Sequence, residues 1–497
     1  MRLKSQIFRT FPLLVGCFVA LACSRPGVEN QSQYAQKARA LWQQALATFA
    51  SRNQILVTDE NGQGVSGAQV LIGTALNAPF SGNFLVTGAD GSVAIPEAWK
   101  SDLPVTIQAN HFHRVTFFAQ TPGQQKYILR AEPAAADLVL TGVTPGITPV
   151  DESDECDFSL VIPALQRQDI LNFSVDQLVS PDRDTITVFG RDVKLPANIT
   201  IPKQTQDYIF AITLDKPLYR LHFQQPGVKK VFALHGQFPF KATIDAIRGG
   251  QDYYTLLNSF SFLNGGLQSV EVQAPQQTRD IPVTQFQFDQ VVDVHSPAFA
   301  SDEAVIAAAL KDENGYLMPT DAKLLTSGGV DHLRLITGAT ESILTVLKKQ
   351  DELKPGATPT AIEHLSATIL PIANGVSPQL LPMLDPPTVA NAWHVQAPHL
   401  PSATSVFPIA TYGTLARVVQ TQANNKTTTT TSVLWEVYAP KWVREIQLPA
   451  WPNEALPSGS LRWALAFLGG PSASQVDLGP ELMQTVTHVT KSATDFE

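Results

Sequence analysis

Between Gln54 and Leu129 the side chains change character at every second residue, and that period constrains the fold more than any other feature of this 497-residue chain. A period of two places alternate side chains on opposite faces of an extended strand. Ile55-Leu56-Val57-Thr58 runs into Asp59-Glu60-Asn61-Gly62, a turn of the kind Asn-Gly makes in hairpins. Ala68 to Ile72 and Phe84 to Val86 alternate again, and Thr87-Gly88-Ala89-Asp90-Gly91 is a second turn. Ser92 to Ile95 is stopped by Pro96, and Pro104 to Ala109, Arg114 to Phe118 and Lys126 to Leu129 follow. Seven short strands at this spacing predict a seven-stranded β-sandwich. Val57, Val70, Val93, Ile95, Val105 and Ile107 are expected to face its core, with Asn61-Gly62 and Asp90-Gly91 at its surface.

The glycines and the alternation together carry a resemblance. Val57-x-Asp59-x-x-Gly62-x-x-Val65-x-Gly67-Ala68-x-Val70, then Thr87-x-x-Asp90-Gly91-x-Val93-x-Ile95-Pro96, resembles the carboxypeptidase regulatory-like (prealbumin-like) β-sandwich over about residues 54–130. Where that family often has Gly-aromatic after the fifth strand, this chain has Asn110-His111-Phe112. The resemblance implies a non-catalytic module appended to an exported or surface protein, not a peptidase.

The N-terminus gives the address. Arg2, Lys4 and Arg9 precede an uncharged run from Thr10 to Ala22, too short for the about 20 residues a membrane span needs and laid out like a secretory signal. Its end, Ala20-Leu21-Ala22-Cys23, resembles the lipobox of bacterial lipoproteins, which implies that Cys23 is lipidated and becomes the mature N-terminus. Leu14-Val15-Gly16-Cys17 is a second candidate, but it leaves only about seven residues for the apolar region. Ser24, rather than Asp, follows Cys23, which by the same resemblance implies the outer membrane. After a polar tether, Ala38, Leu41, Trp42, Ala45, Leu46 and Phe49 form one apolar stripe, predicting an amphipathic helix over about 33–50.

Charge and cysteine content narrow the partners. The chain carries −9, and loss of a signal holding three bases and no acid leaves −12, which does not attract nucleic acid or anionic lipid. The membrane is reached through the N-terminal lipid instead. Beyond Cys23 the one remaining thiol is Cys156, so no intrachain disulfide forms if Cys23 is acylated. Stability must come from core burial.

The rest of the chain divides less sharply. The reading gives 1–22 as signal peptide, 23–52 as tether and helix, 53–132 as the sandwich, 133–157 as an acidic linker, and 158–298 and 299–497 as two further β-rich domains with a few short helices. Helices are expected near Ala242–Ile247 and Asp252–Phe260, and an exposed edge or loop at Thr427–Thr431; at Val305–Leu310 the alanines favour helix while the following Asn314-Gly315 favours a hairpin, which is the reading preferred. Asp151 to Asp157, with five acids, reads as a solvated loop, because the ligand spacing of an EF-hand is missing. The fold class is therefore mostly β and multi-domain.

No local signature brings chemistry. Gly62-x-Gly64-x-x-Gly67 fits a dinucleotide fingerprint literally, yet an alternating segment rather than a helix follows it. His111 and His113 share a strand face without a third ligand nearby. Trp435, Trp442, Trp451 and Trp463 read as core or loop-covering residues, with a sugar platform as the alternative. No zinc-peptidase, nucleophile-elbow or phosphate-loop motif occurs. The expectation is a non-catalytic binding or structural lipoprotein of the envelope, with no metal or cofactor and a protein or glycan partner. The alternatives are an envelope hydrolase with its site in 158–497, visible as two of His222, His235, His295 and His332 paired with Ser or carboxylates in a cleft, or a subunit of an envelope transport assembly.

Overall fold

The computed structural model describes residues 54–497 apart from short segments at 61, 75–83, 133–137, 152–153, 173–182, 189, 208–210, 224–225, 250–252, 274, 299–303, 313–314, 326, 340–341, 350–363, 401–405, 424–425, 452–458, 473–477 and 479–481. The signal, both candidate lipidation cysteines and the 33–50 helix lie outside the described residues. What is described is mostly β, in several sheets with few helices.

Seven strands occupy the first stretch: β1 (Gln54–Thr58), β2 (Gln69–Ile72), β3 (Leu85–Val86), β4 (Ser92–Ala94), β5 (Leu103–Gln108), β6 (Arg114–Gln120) and β7 (Gln125–Ile128). They form two layers. One is the sheet β4-β1-β7; the other runs β6-β5-β2-β3. Ile55, Val57 and Tyr127 from the first meet Val70, Ile72, Val105, Ile107 and Phe117 from the second in one core. Of the six aliphatic residues expected inside, Val93 is only half-buried, because β4 lies at the edge of its short sheet. The first turn closes through Gly62 N–H to the Asp59 carbonyl at 3.0 Å, with Gly62 at φ +78°. The second closes through Gly91 N–H to the Gly88 carbonyl, also at 3.0 Å, with Gly91 at φ +77°.

The layer holding β6 does not end there. It is the edge of a twelve-stranded sheet that runs Leu317–Leu324, Ala304–Lys311, Ser342–Lys349, Leu365–Pro371, His488–Phe496, Leu461–Gly470, Phe407–Ala423, Lys426–Pro440, β6, β5, β2, β3. The join is parallel and short, Trp435 to Tyr438 against Arg114 to Phe117. The 299–497 region thus continues the sheet of the first unit, and both contribute to one hydrophobic cluster, in which Tyr412, Leu468 and Val489 sit with Val105 and Phe117. A small sheet of Thr388–Asn391, His394–Gln396 and Glu445–Gln447 contributes Val395 and Ile446 to a second core with Trp435, Trp463 and Leu465.

Residues 138–295 build a second pair of layers. A six-stranded sheet runs Ile212–Lys216, Ile199–Gln206, Glu155–Pro163, Gly227–Pro239, Ser261–Val272, Phe286–Gln287. A three-stranded sheet of Tyr219–Phe223, Leu138–Gly142 and Gln276–Thr278 shares with it a core that includes Leu140, Val161, Tyr219, Ala233 and Val272. The acidic stretch is thus not wholly a solvated loop. Glu155 opens a nine-residue strand, and Asp157 is 3% exposed. The two longest strands here contain glycines, with a register shift in their pairing at His235/Gly236. A Cβ at Gly236 would meet the Ser261 carbonyl at 2.6 Å, and one at Gly266 would fall on the Pro282 carbonyl. These glycines serve close backbone approach within a sheet.

The expected helices are an α-helix at Phe240–Arg248 and a 3-10 helix at Tyr253–Ser259. Ala304–Lys311 pairs with Leu317–Leu324 as the expected hairpin, turning through Gly315 at φ +84°. Thr427–Thr431 lies within the strand Lys426–Pro440, paired along its length with Phe407–Ala423.

Candidate functional site

At one end of the first unit, the β1–β2 turn and the β5–β6 turn face each other across a cleft of about 480 Å³. Asp59, Gln63, Gly64, Val65, Ser66, Gly67 and Gln69 supply one wall, and Gln108, Ala109, Asn110 and Phe112 the other. The first wall is shaped by glycines. Gly64 lies against the second turn, where a Cβ would fall on the Asp90 carbonyl, and Gly67 sits at φ +75°. The second wall turns at His111, a non-glycine residue at φ +68°. Such a conformation is held only where neighbours over-determine it. Here the Glu132 N–H donates to the His111 carbonyl at 2.7 Å, and Phe112 bridges to Ala131. The pair His111/His113 is therefore not on one strand face, because the chain bends between them and β6 begins at Arg114. His113 Nδ1 lies 3.2 Å from the Val433 carbonyl.

The polar groups of the cleft are mostly amides. Gln63, Ser66, Gln69 and Asn110 are exposed, and their side chains make no hydrogen bond to other described residues. Gln108 Oε1 accepts from Arg114 Nε at 2.6 Å, which turns its amide nitrogen to other partners. The Arg114 guanidinium lies behind it, 4.4 Å from the Trp435 ring and 4.6 Å from the Trp451 ring. Asp59 Oδ1 accepts the Gln63 N–H at 2.8 Å. The main chain of this turn is already paired: Val65 N–H goes to the Val57 carbonyl at 2.9 Å and Gly67 N–H to the Thr87 carbonyl at 3.1 Å. The literal dinucleotide fingerprint therefore makes no phosphate cradle. It needs free N–H groups at a helix start, and here β2 follows, paired on both sides.

Ionisable groups also meet away from the cleft, and the His–Asp pairs bear on the hydrolase alternative. His235 and Asp157, cross-strand neighbours in the six-stranded sheet, are 7% and 3% exposed. Nε2 of His235 lies 2.9 Å from Asp157 Oδ1, and Nδ1 lies 2.9 Å from Asn264 Oδ1. Gln237 Nε2 donates to the same Asp157 oxygen at 3.1 Å. With both ring nitrogens taken and the group enclosed, the pair is a satisfied buried network. His332 Nδ1 meets Asp293 Oδ1 at 2.6 Å on the open face of a two-stranded sheet. His222 and His295 are exposed. The two His–Asp pairs lie on different sheets, and neither contributes to the cleft.

Another group of ionisable side chains joins the first unit to the long sheet. Arg130 Nη1 is 3.8 Å from Glu436 Oε1, and the Tyr412 hydroxyl donates to Glu436 Oε1 at 3.5 Å. Burial, and the Glu436 charge after it, push the Tyr412 hydroxyl well above its ordinary range. Burial works against the Arg130 charge, but Tyr438 and Glu436 outweigh it and hold the guanidinium more firmly protonated than usual. Among the described residues no three His, Cys, Asp or Glu side chains gather as a metal ion would need, and no helix is long and apolar enough to cross a membrane.

The sequence did not mark the cleft. Its residues read locally as turn and strand formers, and their convergence depends on two turns more than forty residues apart. The four clustered tryptophans do not make a platform. Trp435 and Trp463 are buried, with indole N–H groups donating to Thr116 Oγ1 at 2.8 Å and the Ala392 carbonyl at 3.0 Å. Trp451 stacks on Phe84 at 4.7 Å, and Trp442 Nε1 donates to the Pro398 carbonyl at 3.1 Å.

No family model matches the chain, and no curated protein matches it. Among solved structures, the Bacillus anthracis TIE protein aligns with 65% of this chain at 10% identity and a TM-score of 0.14. The alignment spans about half of that protein, 48% of its length, and a TM-score of this size is not a shared fold.

Proposed function

We propose that this protein is a non-catalytic binding lipoprotein, held at a bacterial outer membrane by a lipid on Cys23, that presents a ligand cleft on a prealbumin-like sandwich. The observation that carries the reading is the cleft itself. Its volume falls within the about 300–1,000 Å³ of small-ligand sites, and its walls offer uncommitted amides and a hydroxyl without a nucleophile–base pair. The two-layer arrangement of β1–β7 supports the sandwich reading, and the uncharged run ending at Cys23 supports the anchor. The unit then works as a display platform whose second layer forms one end of the twelve-stranded sheet.

Two measurements test it. Replacing Cys23 by Ser should move the protein from the membrane fraction to the soluble fraction, whereas Cys17→Ser should leave it membrane-bound; the opposite pattern assigns the lipid to Cys17. Hydrogen exchange of the full chain, with and without its own envelope extract, should show protection at 63–69 and 108–112. Gln69→Arg, which puts a long cation into the cleft, should abolish that protection. Exchange unchanged by the extract would overturn the binding role of the cleft.

A further inference from the structure

The lining of the cleft also limits what it can hold, and this deepens the binding reading above and rests on it. We propose that the ligand is an uncharged saccharide segment. Gln63, Gln69 and Asn110 each carry a carbonyl acceptor and an amide donor side by side, and Gln108, whose carbonyl is taken by Arg114, adds its amide donor. A sugar hydroxyl is both donor and acceptor, so neighbouring hydroxyls match such amides in pairs, and Ser66 adds a fourth group of the same dual kind. Gly67, with open space where its Cβ would be, leaves its part of the wall without a side chain, so a ring can approach the backbone there. Phe112, half-buried, gives an apolar wall for the C–H face of a sugar.

Other ligand classes fit less well. A phosphate or carboxylate would find no cationic side chain in the lining and would meet Asp59. The net charge of the chain, −9, opposes it further. A divalent cation would find one carboxylate among amides, fewer charged oxygens than such ions usually take. A peptide adding as a strand needs an open sheet edge, and β2, which lines the cleft, is paired on both sides. An apolar ligand would find Phe112 alone, because Val65 and Ala109 are buried.

The test uses the full chain in detergent, titrated with neutral hexasaccharides of glucose (α- and β-linked) and of N-acetylglucosamine. Hexagalacturonate and hexaglycine are the acidic and peptide probes. At least one neutral hexasaccharide should bind and protect 63–69 and 108–112 from exchange. The double variant Gln69→Ala/Asn110→Ala, at two exposed positions, should keep the wild-type thermal transition and bind about tenfold more weakly, since two neutral hydrogen bonds are lost. Failure of every neutral hexasaccharide to bind at 10 mM, binding unchanged by the double variant, or equal binding of hexagalacturonate would each overturn the proposal. Protection by hexaglycine alone would overturn the saccharide class while leaving the cleft a binding site. The envelope extract separates the two readings further. If its protection survives proteolysis and is lost on periodate oxidation the saccharide stands; the reverse keeps the binding role and removes the sugar.

Discussion

Gly64 and Gly62 sit two residues apart and are glycine for different reasons. Gly62 has φ +78° and open space where its Cβ would be, so alanine there costs only the left-handed backbone, about 1–2 kcal/mol. At Gly64 a Cβ would fall on the Asp90 carbonyl, and at Gly91 one would come within 2.7 Å of the Gly64 Cα. The two turns are pressed together backbone to backbone. Gly64→Ala should therefore destabilise more than Gly62→Ala and displace the β1–β2 wall of the cleft from the second turn. Urea denaturation of both variants checks the order, and equal losses would mean that the turns do not need this approach.

At the same scale, Asp321 gives a pH signature. It is 2% exposed, and burial raises its pKa although the N–H groups of Arg334 and Ala322 donate to it, each at 2.9 Å. A carboxyl whose folded pKa is raised holds its proton more tightly when folded. Its stabilising contribution is present below the unfolded pKa and is lost as pH rises through the folded value. Asp321→Asn removes this slope, so its urea midpoint should gain on that of the wild type between pH 4 and pH 7. A difference that does not change with pH would contradict the assignment.

The element that matters most is the four-residue parallel seam between β6 and Lys426–Pro440. Main-chain bonds along so short a stretch are few, and side chains reinforce them. Trp435 Nε1 donates to Thr116 Oγ1, which also meets Thr106 Oγ1 at 2.8 Å, and Phe117 stacks on Tyr438 at 5.2 Å. Thr116→Val keeps the shape but strands the buried indole N–H. The cost should be about 1–3 kcal/mol, more than that of Thr116→Ser, which keeps the hydroxyl. Equal melting temperatures for Val and Ser would show that the indole finds another acceptor. The seam was not legible in the sequence. Arg114 to Phe118 reads as a strand, but nothing local says that its partner lies more than three hundred residues away, at Trp435 to Tyr438. The hairpin of Ala304–Lys311 and Leu317–Leu324 was legible, because its turn residue, Gly315, lies between its own strands.

At the scale of the whole molecule, the continuous sheet ties the first unit to the C-terminal region. Their shared core runs from Ile55 to Val489, and the Arg130–Glu436 contact links the same two parts. Val70, 1% exposed, sits in that core. Val70→Asp places an unpaired charge there, at a cost of about 3–5 kcal/mol. The loss should spread: hydrogen exchange should accelerate in Leu461–Gly470 as well as in β2 and β5, within a single calorimetric transition. A C-terminal region that melts at the wild-type temperature in this variant would show that the two parts fold separately.

Sequence and tertiary structure divided the work along the length scale of their causes. Period-two alternation in β1, β2 and β5, the Asn-Gly and Asp-Gly turns, and the helix stopped near Gly249 depend on neighbours a few residues away, and the sequence alone determined them. Cys156 is a poor thiolate chiefly because burial in its strand raises its pKa, with the charges of Asp157 and Glu155 behind it; only the charges are local in sequence. The order of the twelve strands, the burial of Asp157 against His235, and the meeting of Gln63 and Gln69 with Gln108 and Asn110 were decided only in the folded chain. Each joins residues that alternation leaves equivalent to many others. The choice among them is made by which faces exclude water together, and that is a property of packing over hundreds of residues.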